Sequence, residues 1–197
     1  MAQETEPAPP PPPPLPRPLL AVAGGLAALL VLGVAGVGLF SRTVDEGAPA
    51  AAPSADRSGP VALVPVPAPG AGSEGCRALL GALPAELVSN GVALPRRELA
   101  SPAPEGALAW GDAAHEPVVL RCGLERPRDL TPTSELRNVS DVEWLVLSDA
   151  GSSTWYVVDR PVYVALTVPS DAGTGPLQDI SATVRDTLAK SPVDTRG

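Results

Sequence analysis

The chain has 197 residues, 14 basic against 22 acidic side chains and a net charge of −8, with no basic run longer than Arg96–Arg97. Binding of nucleic acid needs a phosphate-neutralising patch of Lys and Arg, and a polybasic hold on a membrane surface needs the same, so both classes are set aside. The three tryptophans and two tyrosines all lie beyond residue 105, which confines the material for a packed core to the C-terminal part.

Residues 1–18 form a proline-rich tail. Pro9 to Pro14 is an unbroken proline run that favours polyproline II and has nothing to pack, so a disordered tail is expected. Residues 19–40, LLAVAGGLAALLVLGVAGVGLF, carry no charge. At about 1.5 Å per residue a helix over them spans roughly 33 Å, enough for a bilayer core of about 30 Å. The segment is longer than a signal-peptide core, and the first small-x-small cleavage candidate, Ala48-Pro49-Ala50, lies well beyond its end. An uncleaved single-pass anchor follows. Arg17 and Arg42 flank it symmetrically, so charge gives no orientation. The short N-terminal tail and the cysteines below place the N-terminus in the cytoplasm and the C-terminal domain outside. Residues 41–73, rich in Ala, Pro and Gly, read as an extended linker.

Residues 74–190 are long enough for one modest core, with a flexible end over 191–197. A short helix beginning at Cys76 puts Leu79, Leu80 and Leu83 on one face. Strand-like runs follow at 91–94, 107–110, 118–122, 144–147, 154–158 and 162–168, several rich in Val, Tyr and Trp. DAGSS reads as a hairpin loop. Pro161 makes the last two runs either a second hairpin or one bent strand. Pro176 opens a helix with Leu177, Ile180, Val184 and Leu188 on its apolar face, ending at Lys190. The order favours an α+β fold: a small, mostly antiparallel sheet with an N-terminal and a C-terminal helix.

Two cysteines, Cys76 and Cys122, are the whole supply. Outside a cell an even count in a small domain means a disulfide, here closing 46 residues. No Cys-x-x-Cys pair supports thiol redox chemistry. One histidine cannot build a zinc site with cysteines already paired, so no metal or other cofactor is expected. His115 sits in the polar segment Asp112-Ala-Ala-His-Glu116. A hydrolase built on it would want a nucleophile elbow, which the chain lacks, and a solvated loop histidine is the simpler reading. Asp141 and Glu143, two apart, would share one face of a strand. Arg121, beside Cys122 on an apolar strand, is either a structural partner for carbonyls or carboxylates or a contact for a ligand.

The anchor, the spacer, the Cys…Leu-Leu…Leu-Pro helix, then Trp110-Gly111, Val118-Val-Leu120-Arg121-Cys122-Gly123, EWLVL and VYVALTVP together resemble the membrane proteins called domain of unknown function 3515. The resemblance implies an actinobacterial source and a cell-envelope location, and it carries no activity. That family has prolines where this chain has Ala113, Ala114 and His115, so it lends His115 no role. The expectation is a noncatalytic, membrane-anchored module that binds an envelope protein or a cell-wall component. A small-ligand sensor using Arg121 and a hydrolase using His115 are the alternatives.

Overall fold

A computed structural model describes residues 57–196. The predicted spanning segment 19–40, the tail 1–18 and linker residues 41–56 lie outside the described residues. Among those described, no helix is long and apolar enough to cross a membrane.

Two helices and eight strands follow one another: α1 (Glu74–Ala82), β1 (Glu86–Ser89), β2 (Val92–Arg97), β3 (Ala107–Trp110), β4 (Val118–Leu124), β5 (Leu136–Val139), β6 (Val142–Asp149), β7 (Ser152–Val157), β8 (Tyr163–Pro169) and α2 (Gly175–Thr187). The strands form one sheet in the order β1-β2-β3-β4-β8-β7-β6-β5, every pair antiparallel. This is the expected α+β arrangement. The run around Pro161 resolves as a hairpin, since β7 and β8 pair from Val157↔Val164 outward.

Three of the turns are two-residue hairpins, and each has its own chemistry. Asn90 and Gly91 both take positive φ, as do Ser140 and Asp141, which is the twist a tight hairpin needs. At Ala150-Gly151 only the glycine does. The first two hairpins add strands β1 and β5, which the sequence reading lacks.

Alternation sorts the central strands into two faces. Leu120 and Cys122 of β4, Val164 and Leu166 of β8, Val157 of β7 and Trp144 of β6 point to one side. They pack there against Cys76 and Leu79 of α1 and Ile180 and Val184 of α2, all fully buried. Ser73 caps α1 by accepting from Cys76 N at 3.2 Å, and Leu83, extended, ends it before Pro84. The predicted apolar stripe of α2 is buried, but the helix stops at Thr187 rather than Lys190, because Leu188 turns extended. Trp144 Nε1 donates to Ser181 Oγ (3.1 Å), and Ser181 Oγ donates to Leu177 O (2.6 Å), so this wholly buried hydroxyl is satisfied.

The opposite face carries a second cluster of Leu130, Leu145 and Val158, with Tyr156, Tyr163 and Val193 beside it. It also carries residues 57–73. These have the composition of a spacer, yet they form a strap hydrogen-bonded to the domain. Val61 N donates to Glu98 O (2.8 Å), Ala100 N to Val61 O (2.9 Å) and Gly70 N to Gly123 O (2.9 Å).

Candidate functional site

The residues of the Trp-Gly…Leu-Arg-Cys-Gly pattern meet around this strap and the disulfide. Cys76 and Cys122 are bonded, with Cα atoms 5.7 Å apart, and tie α1 to β4 inside the core. Trp110 is wholly buried. Its Nε1 donates to Pro84 O (3.0 Å), and the Arg96 guanidinium lies over its ring, 5.7 Å from the centroid. Gly111 N donates to Pro95 O (3.0 Å), and its Cα side passes close to Pro117, which folds the 111–117 loop back on itself. Leu120 belongs to the core.

Arg121 and Gly123 serve the strap. Arg121 lies on the outer face opposite Ala165, and its Nη2 donates to Val64 O (2.9 Å). Burial lowers its pKa from the ordinary arginine value. Of the two roles open to it, this contact is the structural one. Gly123 has φ +82 and sits at an irregularity in the β4–β8 pairing; a Cβ there would overlap Ala71 N and the Gly70 carbonyl. Only glycine lets the strap pass at that distance.

His115 is more than half exposed. Its Nδ1 lies 2.8 Å from Asp112 Oδ2. Asp112 Oδ1 also accepts from the backbone N–H of Ala114 and His115, both at 2.8 Å. Those bonds, the one with the imidazole first, hold the Asp112 carboxyl at about 2, and the same pairing raises the His115 pKa. The geometry is the Asp–His half of a triad. The hydroxyl that shares its small pocket is Ser89, whose Oγ accepts from Gly173 N (3.0 Å), and the pocket holds about 80 Å³. Substrate cavities run about 300–1,000 Å³. This pocket is far too small for one.

Asp141 and Glu143 do not share a strand face. Asp141 is in the β5–β6 turn at φ 63 and pairs with Lys190 Nζ (3.0 Å), while Glu143 accepts from Asn138 Nδ2 (2.8 Å). Arg160 and Asp159, buried and paired at 2.6 Å, fasten the same turn: Arg160 Nη2 donates to Asp141 O (2.9 Å). Among the described residues no three His, Cys, Asp or Glu side chains gather to hold a metal ion.

A ligand-sized concavity lies elsewhere, on the outer sheet face. It is an open groove of about 680 Å³. The strap (Gly59 to Leu63) lines it together with Val119 of β4, Thr167 of β8 and the hairpin Ala150-Gly151-Ser152, while Arg57, Arg97 and Glu116 supply its charge. Arg57 Nη2 pairs with Glu116 Oε1 at 2.5 Å. The Arg97 guanidinium clamps the start of the strap, donating to Asp112 O (2.7 Å), Gly59 O (2.5 Å) and Arg57 O. Sequence reasoning reaches none of these groove residues. The signal within reach is the apolar Val61-Ala62-Leu63 run of the strap, masked by the prolines on either side.

The fold and groove define a small strapped α+β domain, closed by one disulfide, with a binding-sized groove on its outer face. The chain belongs to the family described as Protein of unknown function (DUF3515), which it matches over residues 25–193. No curated protein and no solved structure matches it.

Proposed function

We propose that the protein is a noncatalytic, membrane-anchored module of the cell envelope, held by residues 19–40, whose extracytoplasmic domain binds another envelope protein or a cell-wall component. The observation that carries this reading is the groove. Its volume lies in the range of ligand sites, it opens on the face opposite the two helices, and its lining mixes apolar side chains with a few charges, as binding clefts do. The disulfide supports an oxidising exterior.

The test is site-specific photo-cross-linking of the full chain in its native host. A photoreactive residue at Ser152, in the groove, should give a defined adduct, and one at Arg185, on α2, should not. Equal adducts from both positions, or none from Ser152 under several growth conditions, would count against the reading.

A further inference from the structure

We propose that the groove receives an extended, acidic segment of a separate polypeptide, which pairs with the strap at Ala62 and sets a carboxylate beside Arg97. The proposal rests on the binding reading above and names the occupant.

Four observations converge on that occupant. First, the strap is locally a strand with one side used. The N–H and C=O of Val61 both bond toward residues 98–100, in a parallel bridge with Leu99. Strand alternation turns the N–H and C=O of Ala62, and the C=O of Pro60, the other way. Ala62 and Pro60 line the groove, and these groups have no hydrogen-bond partner among the described residues. An extended peptide would complete them, as in strand addition at a free edge. An acyl chain would strip their water and give nothing back.

Second, the edge is short by construction. Of the residues that alternation turns the same way, Pro60 carries no N–H and Val64 already spends its C=O on the Arg121 guanidinium, so Ala62 between them is the residue with both groups unpaired. That suits a specific, brief contact rather than open-ended strand recruitment.

Third, among the described residues the lining contains no aromatic side chain. A sugar ring or a base would find no face to stack on. Val119, Thr167 and Ser152 instead offer small apolar and hydroxyl surfaces that fit alternating small or β-branched side chains.

Fourth, the groove holds an uncompensated cation. Arg57 is matched by Glu116, but Arg97 spends its guanidinium on carbonyl oxygens and has no carboxylate in ion-pair range among the described residues. In a chain of net charge −8 this is a local reversal of sign. An acidic side chain on the incoming strand answers it.

The test titrates the full chain by fluorescence anisotropy with labelled octapeptides that alternate valine and threonine and carry one glutamate moved through the positions. Saturable binding with one preferred glutamate position is expected. On the best peptide, Ala62→Pro or methylation of the amide nitrogen facing Ala62 should weaken binding at least tenfold, and Arg97→Gln should erase the positional preference. Because Arg97 also clamps the strap, the Ala62 variant and the methylated peptide decide the matter if Arg97→Gln loses stability. Absence of binding by every peptide, or binding indifferent to both backbone perturbations, overturns the proposal. Self-adducts from a photoreactive residue at Ser152 would overturn the separate polypeptide in favour of a second copy. If that position still captures a foreign partner while the peptides fail, the strand-addition idea falls and the binding reading stands. If both fail, both fall.

Discussion

Replacing Gly123 by alanine tests whether the strap is part of the domain. The alanine must take φ +82, a left-handed conformation that costs an L-residue roughly 1–2 kcal/mol. Its Cβ would also occupy the space of Ala71 N and the Gly70 carbonyl, which are backbone atoms and cannot rotate away. The strap must lift, losing at least the Gly70 N to Gly123 O bond, worth about 1 kcal/mol, and part of the burial of Ala71. The sum is about 2–4 kcal/mol. For a domain of this size each kcal/mol moves the melting temperature by roughly 3–4 °C, so a fall of about 10 °C is expected. Gly151→Ala is the control. It has the same kind of backbone (φ +88), but a Cβ there meets nothing within 4 Å, so it should lose about 1–2 kcal/mol only. Thermal unfolding of both variants in the full chain, followed by circular dichroism under oxidising conditions, gives the comparison. Equal losses would mean that nothing presses on Gly123, and the strapped arrangement would be refuted.

Arg121→Ala removes one hold on the strap. The amides of Val61 and Gly70 should exchange roughly five-fold faster, for about 1 kcal/mol lost, with Leu120 unchanged; no difference at Val61 would detach Arg121 from the strap. The Asp112–His115 pair carries two opposite pH dependences. His115, its pKa raised on folding, contributes fully below its unfolded value near 6.5 and loses the contribution as pH rises through the folded value. Asp112, lowered to about 2, contributes above its unfolded value near 4 and loses it toward 2. The pair is therefore strongest between about pH 4 and 6.5. In an NMR titration His115 should titrate above 6.5, and Asp112→Asn should return it to the ordinary value; an unchanged midpoint would contradict the pairing. Reducing the disulfide should lower stability by about 4 kcal/mol on the chain-entropy account of a 46-residue loop, read by urea unfolding of oxidised and reduced chain, and two free thiols in the native protein would refute the bridge.

Where the sequence is legible, one local rule suffices. The 3, 4, 4 spacing of Leu177, Ile180, Val184 and Leu188 needs only helical period and a core to face, and all four are buried. The disulfide needs only two cysteines. Strand β1 was within reach, because Asn90-Gly91 is the strongest two-residue hairpin signal, but Pro84 and Pro95 break the runs on either side. The Ser140-Asp141 turn has no glycine, so β5 leaves no comparable mark. The strap is illegible for a deeper reason. Its Ala, Pro and Gly content is that of a free spacer, and what holds it is remote: Arg97, Arg121 and Gly123, 38 to 57 positions beyond the strap residues they hold. The groove exists only because that strap is in place. His115 is the converse case: residue types that suit chemistry gather there, and the pocket beside them holds only about 80 Å³.

The disulfide also sets how the domain responds to a pull. A load applied between the chain's two ends runs from residue 76 to residue 122 through the sulfur–sulfur bond, bypassing the backbone between them. That closed loop holds most of α1 and all of β1, β2 and β3. Under tension the strap and the strands after Gly123 can unravel, while roughly 150 Å of potential chain length stays locked away. Pulled from its two ends, the domain keeps nearly half of its sheet out of the force path.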